Sequence, residues 1–399
     1  MLTPRAFAVL AAAAAMWFAS RLLGTPDLHM VAVGLLAVVP LGALLVRTRR
    51  HELNATRRLS TPRASPGTRV RVDLEIRNAG GRRTSLLMLE DGRPAGLGPS
   101  ARAVVADLAP GGRQTVSYDV VASFRGRYPI GPLKAMVADP FDLVRKPIRI
   151  PGQHDLVVFP RIEDLGTRPA ASSTGGAGES VVRDLFRSGE DFYTMRGYEV
   201  GDDLRRIHWP SVARTGELMI RQDESARRAT AAVLLDTRER AWSGRPDAFE
   251  QAVSAAASVG AHYLRGGFAL RLATADRPPT PTSRDRFLDH LAIVRTVRVG
   301  QLTPAVDQLR GAVSGGAAVI VVTRVPDAEE VAALTRLRSG SASRMAILVQ
   351  DGAPSGVAAE AAWVTLARAG WEVLMLPPGE SLAERWRRRT RRPAIVASS

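Results

Sequence analysis

The densest group of side chains able to do chemistry lies between Asp191 and Glu224, where carboxylates alternate with guanidiniums. Arginine and carboxylate side chains in such alternation form charge-assisted hydrogen bonds, which order a surface or bind a partner. Ser211 follows His208 by three residues, but no third group that would orient this pair can be named. We therefore predict no catalytic residue here, and a partner-binding or structural network of Arg196, Tyr198, Gly201, Asp202, Asp203, Arg205, Arg206, His208, Trp209 and Arg214.

Short elements are expected to position this network. Gly201 permits a turn, and Asp202 or Asp203 can cap a short helix that Pro210 would end. The residues from 217 to 221 are typical of a strand. Trp209 is expected to be the apolar anchor of a partly buried network. Two roles stay open, a network that stabilises the fold and a surface that docks a partner.

A second candidate site lies at Asp236, at the end of the apolar run from Ala231. Such a run is typical of a strand buried on both faces, and ligands of parallel sheets bind at the carboxyl ends of the strands. The alternative function is therefore a hydrolase or metal-dependent enzyme with Asp236, His208 and Thr323 in one pocket. Pairing of Asp236 with Arg238 or Arg240 would exclude that alternative.

The strand that ends at Asp236 begins a predicted α/β domain over 226–399, with strands and helices alternating in a doubly wound, mainly parallel sheet. This arrangement resembles the von Willebrand factor A fold, whose metal site uses Asp-x-Ser-x-Ser at this point. Here both serine positions hold arginine, Arg238 and Arg240, whose permanent charges oppose a divalent ion. We therefore predict no metal and no cofactor, with Asp236 the one position at which an ion is considered.

Other site types are excluded by composition and spacing. The chain of 399 residues has no cysteine, and its six histidines are scattered, without paired ligand spacing. The Gly-rich stretch 168–180 has no lysine, so it lacks the residue that a Walker A loop needs. The net charge of +16 comes with only 5% aromatic residues, too few for stacking on nucleic acid. Nucleic acid is therefore not a predicted partner.

Two apolar runs precede the rest of the chain, one from Ala6 to Ser20 and one from Leu28 to Val46. About 20 apolar residues cross a bilayer, so residues 1–50 are predicted to form a two-helix transmembrane hairpin. A signal peptide that ends near Ser20 is the alternative. Arginines follow the second run at positions 47, 49, 50, 57 and 58, which predicts an inner-membrane protein with the bulk of the chain in the cytoplasm.

Three further segments follow the hairpin. Residues 51–160 are predicted to be a β-sandwich-like domain, because Val70, Val72, Leu74 and Ile76 alternate with charged residues. Residues 161–190 are predicted to be a Gly/Ser-rich linker, and 191–225 hold the charged segment. The arginines around Trp386 near the end form either a solvated, fraying helix end or an electrostatic contact to an anionic membrane surface.

The charged segment resembles the signature of the bacterial domain-of-unknown-function 58 family. The resemblance rests on Arg196-x-Tyr198-x-x-Gly201-Asp202-Asp203-x-Arg205-x-Ile207-His208-Trp209 and Ala213-Arg214, together with the upstream Arg125-Gly126-Arg127-Tyr128, Gly131-Pro132 and Asp139-Pro140-Phe141. The family often has glycine where this chain has Asp142. The resemblance implies a MoxR-type AAA+ ATPase and a transglutaminase-like membrane protein as partners, beside the lipid bilayer, and supplies no catalytic residues.

The favoured function is therefore a membrane-tethered, non-enzymatic adaptor or scaffold. The resemblance places it with a MoxR-type ATPase in the assembly or maturation of envelope-associated proteins.

Overall fold

The computed structural model describes residues 1–48, 52–84, 86–166, 193–198, 207, 209–223, 229–242, 244–298, 301–312, 317–337, 341–350 and 356–391. The chain divides into two compact units, Met1–Phe159 and Pro160–Ser399. The first unit contains the N-terminal helices and ten strands, and the second contains the α/β sheet.

Two apolar helices open the first unit, α1 (Pro4–Leu23) and α2 (Pro26–Thr48). The Thr3 hydroxyl accepts a hydrogen bond from the amide of Ala6, and Gly24, with a φ of 65°, ends α1 in the left-handed conformation. Both helices are long and apolar enough to cross a bilayer, with mean hydropathies of 1.7 and 2.3. They indicate a membrane anchor.

The strands of the first unit form three sheets. They are β1 (Leu53–Leu59), β2 (Arg63–Ala64), β3 (Arg69–Asn78), β4 (Leu87–Asp91), β5 (Ala101–Val105), β6 (Arg113–Val121), β7 (Gly126–Ile130), β8 (Leu133–Ala138), β9 (Arg145–Ile150) and β10 (His154–Val158). The strand orders are β1-β3-β6, β2-β10-β7 and β5-β4-β8-β9, and all neighbours are antiparallel except β2 and β10.

The long strand β3 contributes to two cores of this unit. Leu74 and Ile76 pack in one cluster with side chains of β4 and β8, while Val70 and Val72 pack in another with side chains of β7 and β10. All four residues are buried, so the predicted alternation of β3 is confirmed. One face of β3 is therefore covered by both of the other sheets.

A buried ion pair joins β1 to β4. Arg57 Nη2 lies 2.6 Å from Asp91 Oδ1, and the Tyr118 hydroxyl donates to Asp91 Oδ2 at 2.5 Å. Arg57 Nη1 also donates to the carbonyl of Gly152 at 2.8 Å. Arg57 therefore belongs to the interior of the β unit, and counting it among the cations that flank the membrane was wrong.

The second unit contains β11 (Tyr193–Gly197), α3 (Trp209–Thr215), β12 (Met219–Asp223), β13 (Thr230–Leu235), α4 (Glu239–Trp242), α5 (Pro246–Arg265), β14 (Ala269–Thr274), β15 (Arg277–Thr282), α6 (Arg284–Ile293), α7 (Thr303–Ala312), β16 (Ala317–Arg324), α8 (Ala328–Thr335), β17 (Ser341–Val349), α9 (Gly356–Arg368), β18 (Glu372–Leu376) and α10 (Leu382–Arg391). Six of the strands form one sheet in the order β15-β14-β13-β16-β17-β18.

This sheet is parallel except at one edge, where β15 runs antiparallel to β14. Alternate residues of the central strands, among them Leu234, Val321 and Leu348, pack in one cluster with α7, α8 and α9. The residues between them are equally buried, and α5 packs on β13, β14, β16 and β17. Helices therefore cover both faces of a mainly parallel sheet.

The edge strand β15 was not predicted from the sequence. Its sequence RPPTPT holds three prolines, which cannot donate hydrogen bonds to a neighbouring strand. An edge strand needs donors on one side only, so this position accepts prolines that a central strand would exclude.

The segment predicted as a linker is anchored at its start. Ser254 of α5 donates to the carbonyl of Arg161 at 2.7 Å, and the amide of Glu163 donates to Ser258 at 2.9 Å. The Glu163 carboxylate in turn accepts the amide of Ala383 at 2.9 Å. Residues 161–166 are thus bound to α5 and α10, and 167–190 lie outside the described residues.

The C-terminal helix α10 is also held by the unit. Trp386 is buried, and its ring lies edge-on to His262 of α5 with 5.4 Å between the ring centroids. Trp386 therefore anchors α10 to α5, while Arg387 and Arg388 beyond it are exposed.

Candidate functional site

The carboxyl end of β13 places Asp236 in a fully buried polar cluster. Its Oδ1 accepts hydrogen bonds from the Arg238 backbone amide at 3.0 Å and from Arg238 Nε at 2.9 Å. Its Oδ2 accepts from Arg238 Nη2 and from the Thr323 hydroxyl, both at 2.8 Å. Trp242 Nε1 donates to the Asp236 carbonyl at 2.8 Å. Every oxygen of Asp236 therefore already has a donor.

The far side of Arg238 is bound by Glu330. Arg238 Nη1 donates to Glu330 Oε1, and the exposed Arg240 lies 3.6 Å from the same oxygen. Glu330 also closes a capping box at the start of α8, since its amide donates to Asp327 and its carboxylate accepts the Asp327 amide. The cluster consequently connects the ends of β13 and β16 to the first turn of α8.

The charges of this cluster balance. Burial lowers the pKa of the Arg238 guanidinium, but hydrogen bonds and charges from Asp236 and Glu330 outweigh burial and raise its pKa above the ordinary arginine value. Two buried carboxylates thus face one buried and one exposed guanidinium. Little negative charge is left to attract a divalent cation.

The enzyme alternative required three residues to meet. Asp236 and Thr323 do meet, whereas His208 lies outside the described residues. Asp236 also pairs with Arg238, and such a pairing was expected to exclude the enzyme alternative. Within the part of the chain that the structure describes, no three His, Asp or Glu side chains form a group able to hold a metal.

The charged segment forms a helix and a two-stranded ladder. Strand β11 pairs antiparallel with β12, with Arg196 opposite Ile220, and the amide of Tyr198 extends the ladder to the carbonyl of Leu218 at 2.8 Å. Helix α3 lies between these strands in the sequence and ends at Thr215, and the next residue, Gly216, has a φ of 76°. Arg196 and Tyr198 are thus placed by the ladder, and Trp209 and Arg214 by α3.

Two expectations for this segment were wrong. Pro210 does not end a helix but lies in the first turn of α3, where a missing amide hydrogen leaves no bond unmade. Trp209 is not a buried anchor, because 65% of its surface is exposed. Arg214 is exposed as well.

The predicted network has ten members, and four of them are described above. Six of its members lie outside the described residues: Gly201, Asp202, Asp203, Arg205, Arg206 and His208.

The upstream motif at Asp139 builds a tight turn. The Asp139 carboxylate accepts backbone amides of Phe141 at 2.8 Å, Leu143 at 2.7 Å and Val144 at 2.5 Å. Asp142 in this turn has a φ of 55°, in the left-handed region that favours glycine. This backbone geometry explains why glycine suits the position. In this chain the Asp142 carboxylate forms an ion pair with Arg145 at 2.7 Å.

Sequence reasoning missed two buried groups. Arg57 with Asp91 carries no local signal, because the partners are 34 positions apart on different strands. Glu330 did carry one, since Asp327-x-x-Glu330 before an apolar run is the signature of a capping box.

Comparisons with known proteins agree with the signature. Residues 194–358 match the family described as "Protein of unknown function DUF58". The uncharacterized protein YeaD of Bacillus subtilis (strain 168) is 24% identical over 275 residues, which cover 65% of this chain and 65% of that relative. The chain thus matches just under two thirds of the length of this curated relative.

Two solved structures show weak likenesses to this chain. The CARDB domain of the PF1109 protein from Pyrococcus furiosus is 14% identical, with a TM-score of 0.21, over 27% of this chain and 88% of that one. A chain in the complex of zinc 2-glycoprotein and prolactin inducible protein from human seminal plasma is 15% identical, with a TM-score of 0.22, over 28% and 98%. The signature lies in the region that matches this family model, and the distant relative supports the resemblance of the chain to the DUF58 family.

Proposed function

We propose that this chain is a membrane-tethered, non-enzymatic adaptor that docks a partner protein through the segment around α3. The observation that carries the proposal is the exposure of Trp209, at 65% of its surface, within the segment that defines the family resemblance. A tryptophan that stabilised the fold would be buried, whereas tryptophan and arginine are enriched among the residues that dominate binding energies at protein interfaces.

The neighbours of Trp209 fit the same role. Arg214 on the same helix is exposed, and Leu218, between α3 and β12, is 43% exposed. An aromatic, a guanidinium and an aliphatic side chain within ten residues of the sequence provide the apolar contact and the charge that a docking site uses. The hydrogen bonds of Asp236 support a non-enzymatic role. Both oxygens of this carboxylate already accept hydrogen bonds from the protein, so neither is open to a metal or a substrate.

The family resemblance supplies the partner and the process. We propose a MoxR-type AAA+ ATPase as the partner, with a transglutaminase-like membrane protein as a second, in the assembly or maturation of envelope-associated proteins. The α/β unit would be a von Willebrand factor A-like domain in which the Arg238 guanidinium takes the place of a metal ion. The hairpin would hold both units on the cytoplasmic side of the inner membrane.

Co-purification from the native host tests the docking surface. Membranes that contain tagged wild type, Trp209→Ala or Trp363→Ala are extracted gently, and the proteins that co-purify are identified. Trp363 of α9 is the matched control, a second tryptophan that is 43% exposed. We expect an AAA+ ATPase with wild type and with Trp363→Ala, and its loss with Trp209→Ala.

Two results would overturn the proposal. One is an ATPase that stays bound to Trp209→Ala and also to Arg205→Ala. The second variant tests the part of the segment that precedes Trp209 in the sequence. The other is the absence of any partner from folded wild type.

The membrane orientation is tested separately. A reporter fused after Ser399 that is active only outside the cytoplasm would contradict the proposed topology.

A further inference from the structure

The first unit contains an apolar groove between its helices and the turn built on Asp139. The groove has a volume of about 540 Å³, within the range of roughly 300–1,000 Å³ that is typical of ligand sites. Both helices and the turn contribute walls, and one cation lies among them. The lining residues are Arg5, Ala8 and Val9 of α1, Leu35 and Val38 of α2, and Phe141 and Leu143 of the turn.

The walls of the groove are held together by hydrogen bonds to main-chain carbonyls. The amide of Thr3 donates to the Leu143 carbonyl at 2.9 Å, and the Thr3 hydroxyl donates to the Asp142 carbonyl at 2.6 Å. The amide of Arg145 donates to the carbonyl of Met1 at 2.9 Å. Leu143 also packs in a small core with Ala6. The groove is therefore part of the folded unit.

The depth of the groove along α2 places it beside the acyl chains of the bilayer. Val38 precedes Val46, the last residue of the apolar run, by eight positions, which is about 12 Å at the helical rise of 1.5 Å per residue. The side chain of Phe141 is 61% exposed next to these spans. With the hairpin inserted in a bilayer, an exposed phenylalanine that shares the groove with Val38 would contact hydrocarbon rather than water.

Positive charge lies at the rim of the groove. Arg5 is in the first turn of α1, its side chain is 72% exposed, and Nη1 lies 3.5 Å from Asp142 Oδ2. Asp142 is already bound by Arg145, with both contacts at 2.7 Å. Two guanidiniums thus share the Asp142 carboxylate, while the Asp139 carboxylate of the same turn is occupied by backbone amides. The Arg5 guanidinium stays largely exposed where the apolar run of α1 begins.

We propose that this groove binds an anionic phospholipid of the leaflet next to the β unit, with one acyl chain between Val9, Val38 and Phe141 and the phosphate on Arg5. Apolar walls open to hydrocarbon match an acyl chain, and the exposed guanidinium of Arg5 matches a phosphate. The anchor would then select its lipid as well as hold the protein in the membrane. The inference does not depend on the adaptor role.

Native mass spectrometry of the full chain in detergent tests the lipid site. The protein is titrated with phosphatidylglycerol or with phosphatidylcholine of the same acyl chains. We expect wild type to retain phosphatidylglycerol in preference, and Arg5→Gln to reduce that preference about fivefold, as expected for one cation near a lipid headgroup. Arg69→Gln is the matched control, because Arg69 is 77% exposed and borders no part of the groove.

A second pair of variants tests the acyl-chain position. Val38→Phe fills the groove and should reduce retention of both lipids, whereas Val33→Phe adds the same ring outside the groove and should not. Equal retention of the two lipids by wild type would overturn the proposal. So would unchanged binding by Val38→Phe, or a dimer peak in place of the lipid adduct, which would assign the groove to a second copy.

Discussion

The guanidinium of Arg238 spans the two carboxylate oxygens of Asp236, with Nε 2.9 Å from Oδ1 and Nη2 2.8 Å from Oδ2. Both side chains are almost fully buried, at 2% and 0% exposure. A cation supplied by the chain itself therefore occupies the end of the sheet where an enzyme of this architecture would bind its ligand. This pairing leaves no carboxylate oxygen of Asp236 without a donor, which argues against a ligand site at that residue.

Removing Arg238 should destabilise the α/β unit strongly. Arg238→Ala leaves Asp236 and Glu330 buried without their shared cation, which costs about 3–5 kcal/mol of unfolding free energy. Arg240→Ala removes a cation that is 55% exposed and should cost at most about 1 kcal/mol. Chemical denaturation of the full chain in detergent measures both. Equal losses of unfolding free energy in the two variants would show that the buried ion pair stabilises the unit no more than the exposed one.

Divalent cations should leave the thermal stability of the protein unchanged. A ligand that binds the folded state raises the melting temperature, but the oxygens of Asp236 are occupied by arginine and threonine. We expect equal melting temperatures in millimolar Mg²⁺, Ca²⁺ or Mn²⁺ and in EDTA. A clear rise with any of these ions would instead favour the metal-dependent alternative.

Backbone strain at Asp142 should distinguish two substitutions that both remove the carboxylate. Asp142→Gly and Asp142→Ala lose the same ion pair, but a φ of 55° is strained for alanine and not for glycine. We expect Asp142→Ala to be less stable than Asp142→Gly by about 1 kcal/mol, from thermal unfolding of the full chain. The opposite order would mean that chain flexibility outweighs strain at this turn.

Close packing at Gly42 should make this position intolerant of a large side chain. A Cβ at Gly42 would lie 3.3 Å from Asp139 Cγ, whereas one at Gly34 would meet nothing within 4 Å. Gly42→Leu should therefore cost about 1–3 kcal/mol by forcing the turn away from α2. Gly34→Leu, on the same helix, is the control and should leave stability unchanged. Proteolysis that begins in the 139–145 turn of Gly42→Leu alone would show where the structure opens.

Acid should weaken the α/β unit through His290. Burial and the nearby charge of Arg277 lower the pKa of His290 in the folded state, although Asp276 opposes them. The unfolded chain therefore binds this proton more readily, so stability is full above the unfolded pKa of about 6.5 and falls as pH drops below it. His290→Gln should flatten the stability profile in this range.

The exposed His154 supplies the control for that profile. His154→Gln removes an imidazole that is exposed on β10, and an equal change of the profile in both variants would contradict the assignment to His290. A profile that His290→Gln leaves unchanged would assign the acid effect to another group.

The sequence by itself determined the properties that depend on neighbouring residues. The two apolar runs became helices of spanning length, the alternation from Val70 to Ile76 became the buried face of β3, and the run before Asp236 became a central strand. Periodicity and hydropathy are local, so they can be read without knowing which elements meet.

Only the tertiary structure decided which charges pair and which aromatic side chains stay exposed. Arg57 pairs with Asp91 across 34 positions and Arg238 with Glu330 across 92, while Trp209 is exposed in a segment where burial was predicted. An arginine among dozens of charged residues has many partners available in sequence, and the chain path selects one of them. Burial likewise depends on what other elements bring to a surface, which no local pattern contains.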